Sequence, residues 1–287
     1  MFQVASHPTS FTQHGHGHHQ AMAVVSPNIQ LPRKLARPPL SEISRDAIMA
    51  VAPELVNVPA EYIRRGLRPK AHAMLAGISS LSSSHLPTTM PKSHVPSAMS
   101  IPTRMSSSSA QPTYPTHVLA IASSKSSANE HVFLFPVHNI VIASQCSSIS
   151  RLPPSYPPAP GTLHMPVIQM TLPSPAAFKL LHGYLYNHSL ESVMKSLFPL
   201  PSGFVHGLSH HTVQSTLSSG SSLHQLSSYL CSSSGGSLQA LTSHAAHVKE
   251  LWQDMVTLGI HDPELWDAVD LAWEVILGAL SLAAHNH

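Results

Sequence analysis

Residues 116–186 open with THVLAIASS (116–124), continue through HVFLFPVHNIVIASQC (131–146) and end in VIQMTLPSPAAFKLLHGYLY (167–186). Apolar residues are dense and regular in these runs, whereas proline, serine and histidine interrupt most of the chain before them. The runs 117–123 and 131–137 are rich in β-branched and apolar residues and predict two strands joined by the polar turn SSKSSANE (123–130). Pro136 cannot donate to a ladder, so the second strand is expected to end there. In the next stretch Val137, Ile140, Val141 and Ser144 share a helical spacing, although the β-branched content leaves a strand open as the alternative. RLPPSYPPAPG (151–161) reads as an irregular loop, and MPVIQMTL (165–172) alternates as a third strand. Ser174 as N-cap and Pro175 at the first helical position then start a helix, with Phe178, Leu181 and Leu185 on one face. The predicted class is α+β, with a small three-stranded sheet.

Outward from this core, composition changes what the chain can do. Charged residues make up 10% of the sequence, against about 25% in an average globular domain. With 26 prolines and 23 histidines as well, a chain folded throughout is not expected. The net charge of +2 gives no global field to attract nucleic acid or a membrane surface. Cys146 and Cys231 make no disulfide framework, which suits a reducing compartment. The first twenty residues lack a charged start and an apolar run, so no signal peptide is expected. The run HGHGHH (14–19) offers imidazoles to a metal, but its glycines leave such a site without rigidity, and it is read as compositional. There is no G-x-S-x-G, P-loop, G-x-G-x-x-G, H-E-x-x-H or C-x-x-C pattern. No catalytic residue, cofactor or metal is therefore expected, and a binding or scaffolding role is.

The flanks divide by composition. Residues 1–40 are expected to be a disordered His/Pro-rich tail. Residues 41–81 predict short helices: SEISRDAIMAV with Ser41 as N-cap and Pro53 as stop, PAEYIRRGL closed by Gly66, then RPKAHAMLAGISSL. Arg64, Arg65, Arg68 and Lys70 cluster here, and Arg33, Lys34 and Arg37 lie upstream. Such groups serve nuclear import or contact phosphates, although a solvated helix face explains them as well. Residues 82–115 are expected to be a disordered Ser/Pro-rich linker. Residues 116–284 are read as one domain holding a flexible Ser/Gly/His-rich insert at 202–237. The strongest helical signal is C-terminal. Leu238, Leu241, Ala245, Val248, Trp252 and Met255 recur at three- and four-residue intervals up to Gly259, a natural C-cap. Asp262 and Pro263 then start a second helix, giving an antiparallel hairpin with Asp267, Asp270 and Glu274 as one wet stripe. Those three acids argue for a buried helix over a membrane-spanning one, so no membrane contact is expected. Trp252, Trp266 and Trp273 are read as core, with one of them free to anchor a partner.

Two resemblances sharpen this. The order strand, strand, helix, strand, helix, with FPVHNIVIAS (135–144) and SPAAFKLLHGYLY (174–186), resembles the BTB/POZ fold. That likeness implies that Phe135, His138, Phe178 and Tyr186 are packing residues; the loop 151–161 departs from the family's short connection. The segments 58–81, 131–144, 172–201 and 248–280 together resemble the clampless-type proteins of basidiomycete fungi. That resemblance implies a non-enzymatic regulator of sexual development, required for clamp-cell formation and acting downstream of mating-type homeodomain factors. The expected partners are proteins, a homeodomain transcription factor among them, and BTB-like cores also form homodimers. The expected location is the nucleus, with the cytoplasm as a second. A DNA-binding regulator using the basic helices, or a BTB-type adaptor for another pathway, is the alternative.

Overall fold

The structure, a computed structural model, describes residues 31–103, 113–125, 131–149, 151–157 and 161–285. The chain divides into the units Met1–Pro32 and Arg33–His287, and every described helix and strand lies in the second. The HGHGHH run, most of the expected N-terminal tail and the serine run 106–109 fall outside the described residues.

Three short helices come first: α1 (Arg45–Val51), α2 (Ala60–Leu67) and α3 (Ala71–Ser79). The N-cap of α1 is Ser44, whose side chain accepts from the Ala47 N–H, and not Ser41. Then come β1 (Thr89–Pro91), β2 (Ala98–Pro102), β3 (His117–Ser123), β4 (His131–Val137), α4 (Asn139–Gln145) and β5 (Thr162–Leu172). The sheet has five strands in the order β1-β4-β3-β5-β2, where the sequence predicted three. β3 and β4 form the expected antiparallel pair, and β5 runs parallel to β3 from Val118↔Val167 to Ser123↔Leu172. The first half of β5 pairs instead with β2, from Ala98↔Pro166 to Pro102↔Thr162.

The two extra strands come from the stretch expected to be a disordered linker. Pro91 and Pro102 hid them, yet both sit on edge strands, where a missing N–H costs no ladder bond. Between and around the prolines this stretch supplies Leu81, Leu86, Met90, Val95, Met99 and Ile101. They pack against Val118, Ala120, Ala122, Val132, Leu134 and Met165 and cover one face of the sheet. Alternation sends Leu119, Ile121 and Phe135 to the opposite face. There α5 (Pro175–Asn187) lies, and its Phe178 meets Phe135 edge-on with ring centroids 4.8 Å apart. Pro136 does not end β4, which runs on to Val137, because β1 reaches only as far as Phe133 and leaves that edge unpaired.

The remaining helices are α6 (Leu190–Leu197), α7 (Ser202–His206), α8 (His210–Leu217), α9 (Gly220–Ser233), α10 (Leu238–Leu258) and α11 (Pro263–His285). Three of them, α7 to α9, occupy the expected flexible insert. Serine is a weak helix former inside a helix but a strong one at its start, and Ser209 and Ser219 cap α8 and α9. Small side chains then let α9 approach α11 closely. Ser227 Oγ donates to the Val275 carbonyl at 3.0 Å, and a Cβ at Gly278 would collide with Ser227. α10 and α11 form the expected hairpin, closed by Gly259 in the left-handed region at φ 62. α11 is long and apolar enough to cross a membrane by length and composition, but it is packed against α6, α8, α9 and α10 with Trp266 and Trp273 buried.

Candidate functional site

α2, α5, α8 and the α10–α11 turn converge on a cleft of about 390 Å³ whose lining is almost entirely ionisable: Glu61, Arg64, Arg65, Arg68, His188, His210, His261, Asp262 and Glu264 beside Pro263. A second hollow of about 370 Å³ continues from it past Glu61, Arg64 and His261 toward Glu42, Arg45 and Asn57.

The floor is a set of committed groups. Asp262 caps α11, its Oδ1 accepting from the N–H groups of Glu264 and Leu265 at 3.0 and 3.3 Å. Its Oδ2 accepts from the Tyr184 hydroxyl at 3.1 Å and lies 3.3 Å from His188 Nδ1. Burial works to raise the Asp262 carboxyl, but His188, the Leu265 N–H and the Tyr184 hydroxyl outweigh it and hold it below the ordinary carboxylate range. Burial first, and then the Asp262 charge, drives Tyr184 far above the usual phenol value, so its proton stays and is donated. His188 ends α5 in the left-handed region at φ 48, a position where glycine is usual. Its side chain is 8% exposed, and its Nδ1 has no hydrogen bond.

The walls are basic. Arg64 donates to the Ser144 carbonyl at 3.1 Å, tying α2 to α4. Burial lowers its guanidinium from the ordinary value, Asp262 and Glu61 oppose that, and Arg68 adds to it. Arg65 pairs with Glu61 one turn earlier at 2.6 Å. Arg68 is exposed at the end of α2, and Lys70 is exposed outside the cleft. His261 Nδ1 stands 3.1 Å from the Ser41 carbonyl, so the proton sits there and Nε2 is left as the open nitrogen.

The upstream basic group does different work. Arg33 and Lys34 are exposed. Arg37 reaches Asp267 at 2.6 Å and Asp270 at 2.8 Å on α11, and Asp267 also accepts from His210 Nε2 at 2.8 Å and Gln214 Nε2 at 3.1 Å. Burial raises both acids. Asp267 has three partners and falls below its ordinary value, whereas Asp270 shares only Arg37, feels the Asp267 charge and stays raised. The expected wet stripe is thus covered in part. Residues 33–40, expected to be disordered tail, form an arm across the hairpin with Ser41: Leu35 is buried, the Ala36 carbonyl accepts from Trp252 Nε1 at 3.0 Å, and the Ser41 carbonyl faces His261. Trp252 anchors this chain's own arm. The histidines and Asp262 escaped the sequence reading because each is separate in sequence; the one signal was the Asp262–Pro263 helix start.

His138 is 3% exposed. Its backbone N–H and Nδ1 both meet the Tyr186 hydroxyl at 3.0 Å, and Nε2 meets the Thr113 carbonyl at 3.0 Å. Phe135, Phe178 and Tyr186 are buried around His182. Among the described residues no cluster of three or more His, Cys, Asp or Glu is placed to hold a metal.

The molecule is therefore an α+β protein: a curled five-stranded sheet closed by helices on one face and a proline-rich segment on the other, with a charged cleft where its N- and C-terminal halves meet. Residues 38–173 match the family model of the Clampless protein 1 N-terminal domain, and residues 191–287 match that of the C-terminal domain. The two matches stand in order on one chain, which is thus similar to the clampless proteins in both of their domains. It is 26% identical over 133 residues to Clampless protein 1 of Cryptococcus neoformans var. neoformans serotype D, strain JEC21, and equally to that of strain B-3501A. Those residues are 46% of this chain and 24% of each relative, so the match spans about a quarter of the curated relatives' length. No solved structure matches.

Proposed function

We propose that this protein is a non-enzymatic regulator of fungal sexual development, required for clamp-cell formation and dikaryon growth, and that it works by protein contacts downstream of the mating-type homeodomain factors. The observation that carries the reading is the pair of clampless domain models matched in order along one chain. A BTB/POZ-like core is the finer reading, supported by the order β3, β4, α4, β5, α5 and by the packing of His138 on Tyr186. In a basidiomycete whose own clampless gene is deleted, expression of this chain is expected to restore clamp cells. A host that stays clampless, with the protein present and folded, overturns the role.

The reading includes entry to the nucleus. Arg33 and Lys34 are the better import residues, being exposed, whereas Arg64 is half-buried and Arg37 is paired. A tagged Arg33→Ala/Lys34→Ala variant is expected to shift toward the cytoplasm; unchanged nuclear signal removes these residues from import. Direct DNA contact draws less support, since Arg37 and Arg65 are spent on internal carboxylates and the net charge is only +2.

A further inference from the structure

We propose that the cleft between α2, the end of α5 and the start of α11 is a binding site for a phosphomonoester, gripped by Arg64 and Arg68 beside His188. The developmental role is not needed for this site, which stands on the cleft itself.

Arg65, His188 and His210 of the lining are paired with carboxylates, which leaves Arg64 and Arg68 as its cations without one. Asp262 already has the Tyr184 hydroxyl and two helix N–H groups, and Glu61 is paired with Arg65. Glu264 is the remaining acid of the lining. Arg64 uses its guanidinium on one carbonyl, that of Ser144, and a guanidinium carries five N–H donors in a fork that suits phosphate. Arg68 follows four residues later, so the two cations are neighbours on one helix face and repel each other. Among the described residues no carboxylate forms an ion pair with Arg68.

His188 completes the lining beside the two arginines. Its side chain is more than nine-tenths buried in the cleft, with its Nδ1 turned to Asp262 Oδ2 at 3.3 Å, so it belongs to the floor and leaves the grip to the arginines. His188 also takes a left-handed backbone conformation that only glycine adopts freely. Non-glycine residues in that region gather at ligand sites. The start of α11 does not supply the site, because Asp262 already satisfies its first N–H groups and Pro263 has none. A dianion between Arg64 and Arg68 would offset their repulsion and use their idle donors.

The test uses the full chain and inorganic phosphate, titrated at constant ionic strength with chloride as the control anion and followed by histidine NMR signals and calorimetry. Saturable phosphate binding is expected, with chloride inert. Arg68→Gln, at an exposed position, is expected to weaken binding about tenfold, the loss of one charge-assisted contact, while leaving the phosphate-free unfolding midpoint unchanged. Arg64→Gln should weaken it further. A phosphoserine peptide and a hexose phosphate then separate the sources: whichever binds tighter than inorganic phosphate names the natural carrier, and equal affinities still support the site. Absence of saturable phosphate binding, or an Arg68→Gln variant that binds as wild type does, overturns the proposal.

Discussion

At the scale of single residues, the polar groups inside the protein divide by whether they have partners. His138 has three hydrogen bonds, with Tyr186 serving both its backbone N–H and Nδ1. Burial pushes its imidazole down to about 4, with the Thr113 carbonyl opposing. The unfolded chain therefore takes up a proton near pH 6.5 that the folded chain refuses. Stability from this residue is fully present above pH 6.5 and falls by about 3 kcal/mol as the pH drops toward 4. Histidine NMR is expected to show His138 neutral at pH 5.5, and a midpoint near 6.5 would count against its burial. Tyr186→Phe removes the shared hydroxyl and is expected to cost about 2 kcal/mol in urea unfolding. Asp254 has the opposite sign. Its Oδ1 accepts from the Ser174 N–H at 3.0 Å, but Oδ2 has no partner, and burial raises the carboxyl to about 7. The folded chain then holds a proton that the unfolded chain releases near pH 4, so stability falls as pH rises from about 4 to 7. Asp254→Asn keeps the Oδ1 contact and is expected to gain on the order of 1–3 kcal/mol at pH 8 and almost nothing at pH 4. A loss of equal size at both values would show that the carboxyl is there for shape alone.

At the scale of elements, the informative pieces are those held by neighbours more than by their own propensity. The arm at 33–41 has no helix or strand, and its attachments are Leu35, the Ala36 carbonyl, Arg37 and the Ser41 carbonyl. Arg37 is over a third exposed, so its pairs with Asp267 and Asp270 are screened. Arg37→Ala is expected to cost about 1 kcal/mol globally. The larger effect is local: amide exchange across residues 33–41 should quicken while α11 stays protected. Slow exchange in the variant would mean that the arm is held without the ion pair. Gly259 closes α10 at φ 62, and its carbonyl accepts from Ser147 N–H and Oγ at 3.0 and 2.8 Å. A Cβ there would run into Ser147 and Ser148. Gly259→Ala is expected to cost about 2 kcal/mol, more than a left-handed cap alone, because it also parts the hairpin turn from the end of α4.

For the molecule as a whole, the two domains named by the family models are not two folds. α10 of the second packs on α5, which lies in neither match, and Ser41 and α4 of the first are tied to the hairpin turn. Lys125 pairs with Glu250 at 2.8 Å, Ser174 binds Glu250 and Asp254, and Cys146 bridges to Ile260. Fragments 33–189 and 190–285 expressed apart are therefore expected to unfold without a cooperative transition, and to regain one when mixed. A sharp thermal transition in either fragment alone would show independent folding.

Much of this was legible beforehand. The three strands β3, β4 and β5, the Ser174–Pro175 and Asp262–Pro263 starts, the Gly259 stop and the hairpin of α10 and α11 all follow from local chemistry. Periodicity and capping act within a few residues, so the sequence alone determines them. β1 and β2 were hidden because their prolines forbid a central strand and permit an edge one, and only the completed sheet makes those edges. The helices of 202–237 were hidden because serine argues against a helix until α11 is present to bury Val213, Leu226 and Leu230. The basic clusters were visible as charge, but their fates separated by contact: Arg37 went to α11, Arg64 to the Ser144 carbonyl, and Arg68 to the cleft. The sequence by itself determined the strands β3, β4 and β5 and the capped helices α5, α10 and α11. The tertiary structure decided which polar groups find partners, because burial and hydrogen bonding join residues hundreds of positions apart that no local pattern connects.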